Sequence, residues 1–147
     1  MAAKEFGLDH PSKLPTQFLA HGTAGNVYLH AMHSVVDWFA YAHLSAGKLV
    51  RSLSVSPDSG VLEDLGPRPA FELPYWSGQH PAVDPQAVLD GEEAYPLAFH
   101  PLELGEAALQ ELFGYQLEGD ASPSSLDPSS IPLLRFKRSR SRWAFWR

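Results

Sequence analysis

Residues 26–63, NVYLHAMHSVVDWFAYAHLSAGKLVRSLSVSPDSGVLE, decide the fold. Val27–His33 and Val36–Leu44 are rich in β-branched and aromatic side chains, as strands are. Ser45-Ala46-Gly47 parts the second run from Lys48–Val55, and a three-residue loop ending in Gly suits a hairpin needing positive φ there. Closing it between Leu44 and Lys48 sets Ala42 opposite Val50, Ala40 opposite Ser52 and Trp38 opposite Ser54. On the other face Tyr41 meets Arg51, Phe39 meets Leu53 and Asp37 meets Val55. One face is therefore large and apolar (Phe39, Tyr41, Leu49, Leu53, Val55), and the other is small-residued beside Trp38. Neither resembles the solvated side of an ordinary meander, so both are expected to be covered. Ser56-Pro57-Asp58-Ser59-Gly60 is turn chemistry, followed by a short fourth strand, Val61-Leu62-Glu63. No G-x-S-x-G pattern accompanies its serines and aspartate.

Working outward, Thr16–His21 predicts a short helix between prolines and glycines, and residues 66–101 hold seven prolines that leave little room for helix or sheet. That segment also carries Phe71, Tyr75, Trp76, Tyr95 and Phe99, which a solvated linker would not need. It reads as an extended arm pinned to the sheet by aromatic side chains, with a polar tip at Asp84–Glu93. Leu104–Phe113 carries an apolar stripe at helical spacing, Glu103 and Glu106 near its start and Gly114 at its end. The small-residue sheet face is its expected dock. Gly119–Ser130 reads as a loop and Ile131–Phe136 as an edge strand. The fold class is α+β: an antiparallel β-meander with one main helix and a long proline-rich arm. Residues 1–136 form one domain, open to being N-terminally incomplete, and 137–147 are a basic aromatic tail.

The chain has 147 residues, 44% of them hydrophobic, enough for one core. No run reaches the ~18 apolar residues of a membrane span, and MAAKEFGLDH has no apolar signal-peptide core. With no cysteine, disulfides and thiolate metal sites are excluded, and a reducing cytoplasm is the expected compartment. Of 11 basic residues, six lie in 135–147, leaving five against all 17 acidic residues in 1–134, a formal −12. Such a body does not suit a phosphate backbone. Nucleic acid or an anionic membrane is expected only through residues 135–147, where cations alternate with Phe136, Trp143, Phe145 and Trp146.

Four segments, 30–42, 49–66, 71–81 (FELPYWSGQHP) and 95–119, together resemble a family of uncharacterised actinobacterial proteins, a domain of unknown function. The Pro-Ser-Lys-Leu-Pro at 11–15 and Ile131-Pro132-Leu133-Leu134 are similar too, so the resemblance spans about residues 9–136. It implies no activity and no catalytic residues. Members resembling this chain begin with a further strand-helix-strand region and stop near Phe136, so the resemblance implies a missing cover and an added tail.

Several residues are candidates for chemistry. His30 and His33 form H-x-x-H, a metal spacing on a helix; on a strand they point to opposite faces, so a shared metal with Asp37 needs a bend. Asp37 is expected on the apolar face, where a carboxylate needs a partner: Arg51, His33, His80 or His100. A carboxylate–histidine pair can perform acid–base chemistry, making Asp37, His33 and His100 the catalytic candidates; the same pair serves equally as a lock between arm and sheet. Tyr75, Trp76, His80, Tyr95, Phe99 and Arg51 are the ligand-binding candidates. No cofactor is expected. The sequence favours a non-catalytic cytoplasmic binding or interaction module. A small hydrolase or metal-dependent enzyme using Asp37 with nearby histidines is the alternative. An unpaired edge such as Val27–His33 predicts self-association or a partner protein.

Overall fold

The computed structural model describes residues 8–13, 25–82, 95–117 and 126–132. Four strands follow one another: β1 (Asn26–His33), β2 (Trp38–Ser45), β3 (Lys48–Ser56) and β4 (Gly60–Leu65). They pair antiparallel in the order β1-β2-β3-β4, the meander expected from the successive runs of β-branched and aromatic residues. A single helical turn, α1 (Leu73–Trp76), interrupts the arm, and the main helix, α2, spans Pro101–Phe113. The arm thus has more helix than its proline count suggested, because Pro74 occupies the first turn, where no N–H is needed. Pro101 opens α2 the same way, and Gly114 closes it with φ 66°.

The β2–β3 turn is tighter than the sequence suggested. Ser45 pairs with Lys48, so the loop is only Ala46-Gly47, both with positive φ as the primed hairpin turns require. A bulge then leaves Val50 unpaired between Leu44↔Leu49 and His43↔Arg51. Beyond it Tyr41 faces Leu53 and Phe39 faces Val55, two residues further along β3 than expected. A shift of two preserves the faces, so Phe39, Tyr41, Leu53 and Val55 still share the apolar side. Leu49 lies before the bulge, loses that phase and is exposed.

The helix docks opposite to expectation. Leu104 and Ala108 pack with Phe39, Tyr41, Leu53 and Val55 on the large apolar face, joined there by Tyr75 and Phe99 of the arm. Apolar area sets this choice: bulky side chains offer far more surface to remove from water than alanines and serines do. Close approach at one point comes from Gly105, where a Cβ would strike Met32 Sδ and crowd the Phe39 ring. On the second face Trp38, Ala40, Ala42, Ser52 and Ser54 are buried, and the 3₁₀ turn Pro11–Lys13 lies over β3 and β2. Trp38 Nε1 donates to Ser54 Oγ at 3.2 Å. Glu63 is buried there too; it accepts from Ser12 N (2.9 Å), Ser12 Oγ (2.6 Å) and Ser52 Oγ. Burial alone would raise the Glu63 pKa, but these donors and nearby His10 outweigh it and hold the carboxyl below its ordinary range.

The second strand, expected from Val36, begins instead at Trp38. Residues 34–37 form the β1–β2 turn, so Val35 is 82% exposed and Asp37 is not a strand residue. Asp37 has φ 48°, a left-handed conformation that aspartate tolerates better than most residues. The helix expected at 16–21, the polar tip expected at 84–93 and the tail at 137–147 lie outside the described residues. So does most of the strand expected at 131–136; its first two residues, 131 and 132, are not in a strand.

Candidate functional site

One cation organises the interior. Arg51 is 2% exposed and Glu72, on the arm, is 0% exposed. Arg51 Nε donates to Glu72 Oε1 at 2.8 Å and Nη2 to Glu72 Oε2 at 2.6 Å, a two-point clasp that only a guanidinium offers a carboxylate. Its Nη1 donates to Asp64 Oδ1 (2.5 Å) and to the carbonyls of Leu65 (3.1 Å) and Gly66 (3.3 Å). The Tyr41 hydroxyl donates to Glu72 Oε1, and Trp76 Nε1 to Glu72 Oε2 at 3.1 Å. Strand β2, strand β3, the end of β4 and the arm therefore meet on one ion pair. Burial works against the charged guanidinium, but the bonds to Glu72 and Asp64 dominate and raise the Arg51 pKa above its ordinary value. Burial, then the Glu72 bond, raises the Tyr41 pKa, so the phenol stays protonated. Asp64 also accepts from Arg68 Nη2 (2.7 Å); burial opposes its ionisation, but Arg68 and Arg51 together lower its pKa. Arg68 in turn lies 3.8 Å over the Trp76 ring.

Above this network lies a cleft of about 210 Å³, lined by Tyr41, His43, Val50, Arg51, Pro67, Arg68, Pro69, Phe71 and Leu112. Three elements converge on it: the sheet forms the floor, the arm one wall and the last turn of α2 the other. The bulge at Val50 and the left-handed Gly66 shape its far side, since a Cβ at Gly66 would strike the Val50 carbonyl. Its walls are aromatic, proline and aliphatic. Both guanidiniums of the lining are ion-paired, Arg51 with Glu72 and Asp64 and Arg68 with Asp64. His43 Nε2 is 3.0 Å from Asn26 Oδ1 and its ring stacks on Tyr28 at 4.5 Å.

A second cluster gathers at the β1–β2 turn. His100 Nε2 lies 3.5 Å from Asp37 Oδ2, and the Tyr95 hydroxyl donates to the same oxygen at 3.4 Å. The Tyr95 and His100 rings stack at 5.3 Å. Burial, reinforced by Asp37, pushes the Tyr95 pKa up to about 12. The Asp37 side chain is one-third exposed rather than buried, and its expected partner Arg51 is committed to Glu72 and Asp64.

The structure thus brings Asp37 and His100 together, with Tyr95 beside them. His33 pairs across from Trp38 at the exposed end of β1, on the face opposite His30. His30 points under α2, where Nε2 lies 2.8 Å from the Gly105 carbonyl; as a neutral ring it donates there. Burial lowers the His30 pKa, outweighing Gly105 and Glu106. No group of three or more His, Asp or Glu side chains among the described residues is placed to hold a metal. Tyr75 and Phe99 belong to the core, Trp76 packs on Phe99, and His80 stacks on Tyr75 at 4.5 Å. Of the six expected ligand contacts only Arg51 lines the cleft. Glu72, Asp64, Arg68 and Phe71 went unnoticed as site residues. The one available signal was a glutamate embedded in an apolar run, AFELPYW, where a carboxylate demands a cation.

Fold and site together define an α+β domain whose four-stranded meander, helix and arm form a largely apolar cleft beside a buried ion pair. The chain belongs to the family of unknown function DUF6928, whose profile matches residues 1–136. No curated protein and no solved structure matched it. No described helix is long and apolar enough to cross a membrane.

Proposed function

We propose that this domain is a non-catalytic binding module of the cytoplasm that takes a small, flat, apolar group into the cleft. The observation that carries this reading is the division of labour around Arg51. The two arginines of the lining spend hydrogen bonds on Glu72 and Asp64, which fixes the walls, while the rest of the lining is His43, aromatic rings, prolines, valine and leucine. Such pre-formed apolar clefts with a few fixed polar groups are the usual form of small-molecule sites. A volume near 210 Å³ suits a single aromatic ring with a polar substituent, and Arg68 at the rim offers a donor to that substituent. The cytoplasmic assignment rests on the cysteine-free composition. Titrating isotope-labelled protein with benzamide tests the reading. Amide shifts confined to Val50, Arg51, Phe71 and Leu112, weakened severalfold in Phe71→Ala, support it. Shifts absent or scattered over the surface refute it.

The Asp37–His100 pair favours a second reading, an acid–base site at the β1–β2 turn. It predicts slow hydrolysis of p-nitrophenyl acetate that disappears in Asp37→Asn with the fold intact. Hydrolysis equal in the variant removes this reading and leaves the cleft untouched.

A further inference from the structure

The two edges of the sheet are built differently. β4 carries Glu63 and Asp64, tied to Ser12, Ser52, Arg51 and Arg68, and runs directly into Gly66-Pro67. Charge, side-chain bonds and proline are the usual means of closing an edge to foreign strands. β1, the opposite edge, has eight residues, and residues 26–36 contain no proline, lysine, arginine, aspartate or glutamate. Tyr28 and Phe113, both exposed, stand beside it with ring centroids 6.1 Å apart. Aromatic side chains at a rim of this kind are common anchors of interfaces.

Charge decides what fits there. The body is acidic, with 17 carboxylates against five cations in residues 1–134. A basic partner would be drawn to that acidic surface, not to a strand that offers it no carboxylate. For a second copy, whose body is equally acidic, residues 26–36 are a stretch where two edges meet with no carboxylate opposed to another. We propose that this chain forms a two-fold dimer by antiparallel pairing of β1 with β1 of a second copy, making one continuous eight-stranded sheet.

Symmetry fixes the register closely. Antiparallel neighbours related by a two-fold axis normal to the sheet keep their faces, so the axis passes through a residue rather than between two. Centred on β1, that residue is Leu29 or His30. Both place the two α2 helices on the same face of the joined sheet and bring Tyr28 of each copy to the seam.

The absence of cysteine makes the test direct. Sedimentation of the full chain across a concentration series should pass from 16.2 kDa to twice that mass. Spin labels on His33→Cys should then lie about 20–30 Å apart, six to eight residues at roughly 3.4 Å each. Adding charge at both exposed ends of the strand, Asn26→Asp with His33→Asp, should weaken the dimer at least fivefold with an unchanged circular dichroism spectrum. A monomer at several hundred micromolar overturns the proposal. So does a dimer whose labels lie beyond about 40 Å, or one indifferent to the two new charges.

Discussion

Arg51 and Glu72 are both buried, so neither has access to water if its partner is lost. Breaking a buried ion pair from one side typically costs about 3–5 kcal/mol, since an uncompensated charge is left behind. Arg51→Met is expected to cost that much in urea melts. The double variant Arg51→Met/Glu72→Leu should recover most of it, because apolar replacement of the whole pair is often neutral. Equal losses in single and double variants would show that packing, not charge, holds the arm. Glu63 makes a separate prediction. Its folded pKa lies below the ordinary 4.5, so its contribution is complete above that value and is lost as pH falls through the lower one. Glu63→Gln should therefore lower stability at neutral pH and flatten the loss that begins as pH falls below 4.5, measured by urea melts across pH. His30 acts in a higher window. Burial lowers its pKa, so the unfolded chain takes up the proton first and stability falls as pH drops below 6.5.

Among the elements, α2 and its seat on β1 and β2 depend on Gly105. A Gly→Ala change inside a helix ordinarily gains about 1 kcal/mol, whereas overpacking a filled core costs about 1–3. With Met32 Sδ and the Phe39 ring already against the site, the second term is the larger. Gly105→Ala should lose stability and break the contact from His30 to the Gly105 carbonyl, read by the His30 ring nitrogen shifts. Trp38→Ala on the other face should cost about 3–5 kcal/mol; a loss below about 1 would mean that face is open. The four strands and α2 were legible in the sequence, and α1 was not: β-branched and aromatic runs set the strands, Ser56–Gly60 the β3–β4 turn and Gly114 the helix end. The register was not, because the bulge at Val50 is a choice between two pairings of equal local chemistry that only packing resolves. The helix dock was misread for a related reason: small residues permit close packing but do not drive it. Asp37 looked buried because Val35 and Val36 resemble strand residues, yet they belong to an exposed turn. His100 was a stated partner for Asp37. Glu72 was not foreseen for Arg51, since 21 residues and a non-periodic arm separate them.

For the whole molecule, the family match ends at residue 136, where the tail begins. Deleting residues 137–147 should leave the melting temperature unchanged within a degree or two and abolish any binding to RNA or anionic vesicles. Binding that persists moves that site into the body. The Arg51–Glu72 clasp also governs how the molecule comes apart. The meander joins neighbours in sequence, and such local topologies assemble quickly. The Glu72–Arg51 clasp spans 21 residues and is completed by Tyr41, so it is expected to close after the sheet that carries Arg51 and Tyr41. The clasp is thus a late event on the way in and an early one on the way out. A bond absent from the transition state governs the rate of unfolding and leaves refolding nearly untouched. Glu72→Gln should speed unfolding by tenfold or more while the refolding limb of the chevron hardly moves. Amide exchange should show Phe71–Trp76 opening at lower free energy than Phe39–His43. Measured by lifetime rather than by equilibrium, this protein lasts as long as one arginine keeps its hold.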